Sequence, residues 1–262
     1  MKTKKFISLL IILLIGSCSF FTYGQEEKPK SQILMVWKEV VKPSKVGEYE
    51  KAFKNAMDSF KEHNYRYPIF LYVTEDNHYY LVVPISSLDD IDDVFAASNE
   101  LMGKMGKEEF TKMHEMFTGT YEYGQPMIMY TRPDLSYTPE DMIENTDENT
   151  FMYWGFCSGI PGMEKEIETA FKKFVELYSS NNIQNGWQTF MGSIGTEMPY
   201  YIYSESGKSQ AKFWSLMEEI NKNNPELSKQ SMEIWNKFMS ALRKFETKTG
   251  WYRPDLSYFP QE

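Results

Sequence analysis

From Ile33 to Val41 the chain is apolar and partly β-branched until Pro43 interrupts it, a pattern that predicts a strand. Tyr49, Phe53, Ala56, Met57 and Phe60 then recur at helical spacing. Two further strands are predicted at Ile69–Thr74 and His78–Ile85, joined by a tight turn at Glu75-Asp76-Asn77. From Leu88 to about Tyr123 the pattern is mainly helical, with a break expected between Gly103 and Gly106. Met127–Thr131 reads as a last strand, stopped by Arg132-Pro133. A polar, acidic stretch from Thr138 to Thr150 follows and reads as a linker.

The pattern then repeats. Arg132-Pro133-Asp134-Leu135-Ser136-Tyr137 recurs as Arg253-Pro254-Asp255-Leu256-Ser257-Tyr258. The same spacing sets Tyr79-Tyr80 on Tyr200-Tyr201 and Phe117 on Phe238. Nearer the start the spacing is shorter and matches Glu50, Ala52, Phe53 and Asn64 to Glu168, Ala170, Phe171 and Asn182. A three-residue insertion before Tyr200 would reconcile the two spacings. A period this long indicates duplicated domains rather than a solenoid of short repeats. The expected division is residues 1–24 as a signal peptide, 32–137 as a first module, 138–150 as a linker and 151–262 as a second module.

The order strand, helix, strand, strand, helical region, strand is the ferredoxin-like βαββαβ pattern, with its second helical region enlarged. With the duplication, it resembles the dimeric α+β barrel superfamily, in which two such sheets face each other around a cavity. The resemblance implies an α+β fold: two ferredoxin-like modules in tandem forming a pseudo-dimeric α+β barrel. The superfamily includes cofactor-independent monooxygenases, haem-degrading and haem-dependent enzymes, sugar mutarotases and proteins of unknown role, so it implies a fold without choosing a function.

Strand alternation separates two faces. Leu34 and Val36, Ile69, Leu71 and Val73, and Tyr79, Leu81 and Val83 form a mostly aliphatic set expected against the helices. The other face carries Trp37 and Glu39, Phe70, Tyr72 and Thr74, and His78, Tyr80 and Val82. Its counterpart in the second copy shows Tyr153 and Cys157, Gln188 and Phe190, and Tyr201 and Tyr203. Trp37, Tyr72, Tyr80, Phe190, Tyr201 and Tyr203 are therefore expected to converge between the sheets. There they would line a pocket for a small apolar or aromatic ligand, or simply pack the sheets together.

On that face His78 and Glu39 are the candidate acid–base pair, since imidazole exchanges protons near neutrality and burial can raise a carboxylate toward the same range. His114 is a candidate haem ligand or a surface residue, and the second copy has Trp235 in its place. Cys157 reads as a packing thiol. The repeated Arg-Pro-Asp-Leu-Ser-Tyr motif reads as structural: Arg and Asp lock a turn across the proline while Leu and Tyr pin the tail. An anion clamp at Arg132 and Arg253 is the alternative. The chain has no Gly-rich phosphate loop, no Gly-x-Ser-x-Gly elbow and no Cys-x-x-Cys. With three histidines and two cysteines in 262 residues, no metal-ligand spacing can be assembled, and the cofactor is unknown.

Lys2, Lys4 and Lys5 precede an apolar run from Phe6 to Ile15, too short to span a bilayer and suited to an export leader. Thr22-Tyr23-Gly24 before Gln25 fits signal-peptidase cleavage. Ile15-Gly16-Ser17-Cys18 resembles a bacterial lipobox, which would put a lipid anchor on Cys18. The expected location is the periplasm or cell envelope, with an outer-membrane lipoprotein as the alternative, and no transmembrane span in the mature chain. Loss of the leader leaves 25 basic against 37 acidic residues, a net charge of −12. So acidic a chain argues against nucleic acid and anionic membrane as partners. Three roles stay open: a ligand-binding protein, an α+β-barrel enzyme (cofactor-independent monooxygenase or haem-linked), and an envelope interaction scaffold.

Overall fold

The structure, a computed structural model, describes residues 30–140, 142 and 150–260. The leader, Cys18 and most of the linker lie outside the described residues. The first half runs β1 (Ile33–Val41), α1 (Val46–Glu62), β2 (Phe70–Thr74), β3 (His78–Ile85), α2 (Asp90–Met105), α3 (Lys107–Glu115) and β4 (Tyr121–Thr131). The second runs β5 (Phe151–Gly159), α4 (Glu164–Ser180), β6 (Gln188–Gly192), β7 (Tyr200–Gly207), α5 (Gln210–Asn223), α6 (Pro225–Ser240) and β8 (Leu242–Tyr252). Gly106, at φ +86°, separates α2 from α3; a side chain there would be strained in the left-handed region. β4 begins six residues before the expected Met127, because Tyr121 to Gln125 pair with β1 even though this part of the strand is largely exposed.

All pairings between strands are antiparallel. Within each half the order is that of a ferredoxin-like sheet, β4-β1-β3-β2 and β8-β5-β7-β6. β2 pairs with β8 and β4 with β6, so the two sheets close into one eight-stranded barrel. Closure leaves no edge strand and gives each sheet an inner face toward the barrel and an outer face toward its helices.

The repeated motif ties the halves together by exchange. After β4 the tail crosses to the second half, where Leu135 is wholly buried beside Ile167, Phe171 and Phe238. After β8 the matching tail crosses back, and Leu256 joins the core over α1. Ser136 Oγ accepts from the Thr189 amide at 2.9 Å, and Ser257 Oγ accepts from the Leu71 amide at 3.0 Å. Tyr137 Oη donates to the Ile183 carbonyl at 2.8 Å, and Tyr258 Oη to the Tyr65 carbonyl at 2.6 Å. Burying each leucine in the opposite core contributes roughly 1.5–3 kcal/mol to holding the halves together.

Both arginines are filled by carboxylates of this same chain. Arg132 grips Asp134 with two bonds of 2.8 Å and reaches Glu168 on α4 at 2.6 Å. Arg253 grips Asp255 at 2.9 and 2.8 Å and bonds Glu50 on α1. Tyr201 donates to Glu168 at 3.2 Å and Tyr79 to Glu50 at 2.7 Å, completing the symmetry. The motif is thus a strap between modules, and its arginines are engaged within the protein.

The repeat is out of register at one point. The loop from β6 to β7 covers 193–199, four residues more than the 75–77 turn between β2 and β3. Tyr201 therefore takes the place of Tyr79, not of Tyr80, and the expected three-residue insertion is one short. A one-residue slip turns every side chain of a strand to the other face.

Candidate functional site

Inside the barrel, Leu34 and Val36 of β1 meet Phe70, Tyr72, Tyr80, Val82 and the facing residues Met152, Trp154, Phe156, Phe190 and Ile202. Of the six residues expected to converge there, the structure brings together Tyr72, Tyr80 and Phe190. Trp37 lies on the opposite side, packed on the core under the first helices. Tyr201 and Tyr203 lie under α4 and α6. β1 was read out of phase, since Leu34 and Val36 point inward and Trp37 must then point outward. On β7 the one-residue slip carried Tyr201 and Tyr203 to the wrong face. Cys157 is likewise outside, fully buried beneath α4, with burial pushing its thiol well above the usual range. The barrel holds a cavity of about 270 Å³, and Gln32, Thr131, Gln188 and Ser204 gather at one rim.

His78 and Glu39 fall on opposite faces. β1 pairs Val40 with His78 and Glu39 with Tyr79, so alternation separates the two side chains. Glu39 sits under α1 and accepts from Tyr49 Oη at 2.6 Å, with burial raising its pKa against that bond. His78 lies at the same barrel end but on the other face of the sheet, 3.1 Å from Lys248 Nζ and 3.6 Å from Asp76. Burial and the Lys248 charge hold it below the usual histidine range. The expected acid–base pair does not form.

A larger space lies on the outer face of the second sheet, and it was not anticipated. A cleft of about 670 Å³, open to solvent on one side, lies between α4, α6, the end of α5 and strand β7. Phe171 and Tyr178 on α4, Trp235 and Phe238 on α6, Trp187 before β6 and Tyr203 on β7 wall it. Phe171 packs edge-on to Phe238 at 5.1 Å, and Tyr178 edge-on to Trp187 at 5.2 Å, so the walls brace one another. Gly155 on β5 leaves room for Tyr203: a β-carbon there would stand 2.0 Å from the tyrosine ring.

One charged side chain faces this space. Glu205 on β7 lines the cavity and is largely buried. Its Oε2 accepts from Asn185 Nδ2, its one hydrogen-bond partner among the described residues. Desolvation raises its carboxyl to about 7 despite that bond. A carboxylate titrating near neutrality within an aromatic cavity marks a candidate functional site. Sequence reasoning missed Glu205 because one acidic residue in Tyr203-Ser204-Glu205 carries no signal until the facing helices are placed. The correct strand register would have put it beside Tyr203 on the helix-covered face.

The fold resemblance raises the question of haem. The cavity lining contains no histidine, cysteine, lysine or arginine, so it offers neither an imidazole or thiolate ligand nor a cation for the propionates. His114, the candidate ligand, is exposed on α3 in the other half, 4.5 Å from the Phe110 ring. The cavity's phenols, Tyr178 and Tyr203, are pushed above the ordinary tyrosine range by burial, which disfavours the phenolate a tyrosine ligand needs. Haem therefore does not fit these residues. Among the described residues no group of three His, Cys, Asp or Glu is placed to hold a metal ion, and no helix is long and apolar enough to cross a membrane.

No family model matches the chain, and no curated protein matches it. Solved structures do. An anthrone oxidase-like protein superimposes with a TM-score of 0.57 at 11% identity, covering 87% of this chain and 92% of its own. A mutant chlorite dismutase from Candidatus Nitrospira defluvii gives 0.51 at 9% identity, covering 87% of this chain and 94% of its own. The fold is that of the dimeric α+β barrels. At such identities the likeness extends to the fold alone. In this α+β barrel, the site is argued from its own side chains.

Proposed function

We propose that this α+β barrel binds a small, largely apolar, ring-bearing molecule in the cavity of its second half. The observation that carries the reading is the aromatic-walled space of about 670 Å³ into which Glu205 faces. Apolar walls with a few placed polar groups are the usual composition of a small-molecule site. An enzymatic version of the same reading gives Glu205 the role of proton acceptor. With its carboxyl raised to about 7, it can take and return a proton at neutral pH. The barrel interior, with Tyr72, Tyr80 and Phe190, is the second reading. It is favoured by its apolar lining and limited by its smaller volume of about 270 Å³.

The test is mass spectrometry of small molecules retained by the purified protein. Ser231→Trp fills the outer cavity and should abolish retention, whereas Val82→Trp fills the barrel and should leave it intact. The reverse pattern would move the site into the barrel, and retention by both variants would end the pocket reading.

We further propose export to the cell envelope, supported by Lys2 to Lys5 and the apolar run after them. The intact mass should begin at Gln25 or carry a lipid on Cys18. A mature chain that keeps Met1 would overturn the proposal.

A further inference from the structure

Among the described residues, most carboxylates are exposed or face a cation of the protein. Glu205 does neither. Its Oε2 is held by Asn185, and among the described residues no Lys, Arg or His lines the space before it. The other polar groups there are neutral: Asn221 at the end of α5, with Ser228 and Ser231 on α6. Ser228 Oγ donates to Asn221 Oδ1 at 3.1 Å. The remaining walls are mostly rings, among them Trp187, Trp235, Tyr178 and Phe171.

Such a lining discriminates by charge. An anionic ligand would meet a carboxylate and no compensating cation, in a medium where the repulsion is poorly screened. A neutral hydrocarbon would leave Glu205 without a counter-charge. A cation is attracted both by the carboxylate and by the faces of the aromatic rings. We propose that the ligand of this cavity is an organic cation, an amine or quaternary ammonium carried on an apolar or aromatic body, with Glu205 as its counter-ion. The proposal rests on the reading of this cavity as the ligand site, and it adds the chemical class.

A linkage with pH follows. Burial keeps Glu205 protonated up to about pH 7, so binding a fixed positive charge displaces that proton. The titratable side chains facing Glu205 are phenols: Tyr153 on β5, Tyr178 on α4 and Tyr203 on β7. Burial pushes all three above the ordinary tyrosine range, so none changes charge between pH 5 and 8. The residues lining the cavity from α5 and α6 do not titrate.

The experiment compares benzyltrimethylammonium with its neutral carbon isostere, neopentylbenzene, by quenching of tryptophan fluorescence. In the wild type at pH 8 the cation should bind at least about tenfold more tightly than the isostere. Glu205→Gln should remove that preference and leave isostere binding within about twofold. Lowering the pH from 8 to 5.5 should weaken cation binding toward the level of the isostere, by about sevenfold where the preference is tenfold, as expected for a carboxyl titrating near 7, and spare the isostere. This pH series needs no variant and stands even if Glu205→Gln folds poorly. If the isostere binds, is lost in Ser231→Trp, and the cation gains nothing over it, the cation class is overturned while the site survives. If neither probe binds the wild type, the cavity reading itself fails.

Discussion

The two halves share one topology and one strap, yet they fill the space between sheet and helices differently. Over the first sheet a single core of 21 buried residues joins β1, β2 and β3 to all three helices. Its α2 and α3 supply Val94, Ala97, Leu101, Met105 and Met113. Over the second sheet the corresponding core holds eight buried residues, and of α5 and α6 only Phe238 belongs to it. The strand position that holds Val83 in the first half holds Glu205 in the second. One half was left solid and the other open. Duplication provides two equivalent shells, and strap and barrel carry the stability, so one helix layer can surrender packing to a cavity.

Matched substitutions test that contrast most strongly. Phe53 and Phe171 occupy the same place on α1 and α4, and both are buried. Phe53→Ala in the filled core should cost about 3–5 kcal/mol in denaturant unfolding. Phe171→Ala should cost about 2 kcal/mol, because that ring already borders empty space and fewer contacts are lost. Equal losses would mean that the second half is as well packed as the first.

The next effect separates the halves by pH. The Glu205 carboxyl is raised on folding, so the folded state binds more protons than the unfolded one between about pH 4.5 and 7. Stability contributed by this group is therefore lost as pH rises through that window, by up to about 3 kcal/mol. Glu205→Gln keeps an acceptor for Asn185, and it should flatten this slope and melt above the wild type at pH 8. A variant that melts below wild type at pH 8 would refute the buried-charge account.

The straps should behave alike in both halves. Arg132→Ala strands Glu168 and Asp134, Arg253→Ala strands Glu50 and Asp255, and each should cost roughly 1–3 kcal/mol. The Arg132 bonds hold the Glu168 and Asp134 carboxyls below their usual range. Their contribution is present above the ordinary carboxylate pKa and is lost as pH falls through the lowered values, the reverse of Glu205. Thermal melts of both variants at pH 7 and pH 3 check this: the deficit should shrink in acid. A deficit in one half alone would show that the exchange is not symmetric.

Much of this architecture was legible in the chain. The run Ile33–Val41, the spacing of Tyr49, Phe53, Ala56 and Met57, and the turn at Glu75-Asp76-Asn77 report local preferences, and each appears in the structure at or near its expected place. The Arg-Pro-Asp-Leu-Ser-Tyr repeat announced a duplicated structural unit for the same reason: six side chains retained together describe one local arrangement. Its turn is local, but its partner is not. Leu135 and Leu256 cross to the opposite module, and nothing in the motif names which core receives them.

The site was far less legible. Tyr72, Tyr80 and Phe190 were placed in the barrel because their strands alternate without interruption. Trp37 was misplaced because β1 has hydrophobic residues on both faces and gives no phase. Tyr201 and Tyr203 were misplaced because the loop before β7 is one residue longer than the repeat suggested. Sequence by itself determined the strands, the helices and their duplication, since these follow from periodicity and local backbone preference. Tertiary structure alone decided which face each strand shows, which module each strap enters, and that Glu205 stands before a cavity. Those outcomes depend on the register and separation of elements far apart in the chain, and a cavity is the absence of side chains, which no residue encodes on its own.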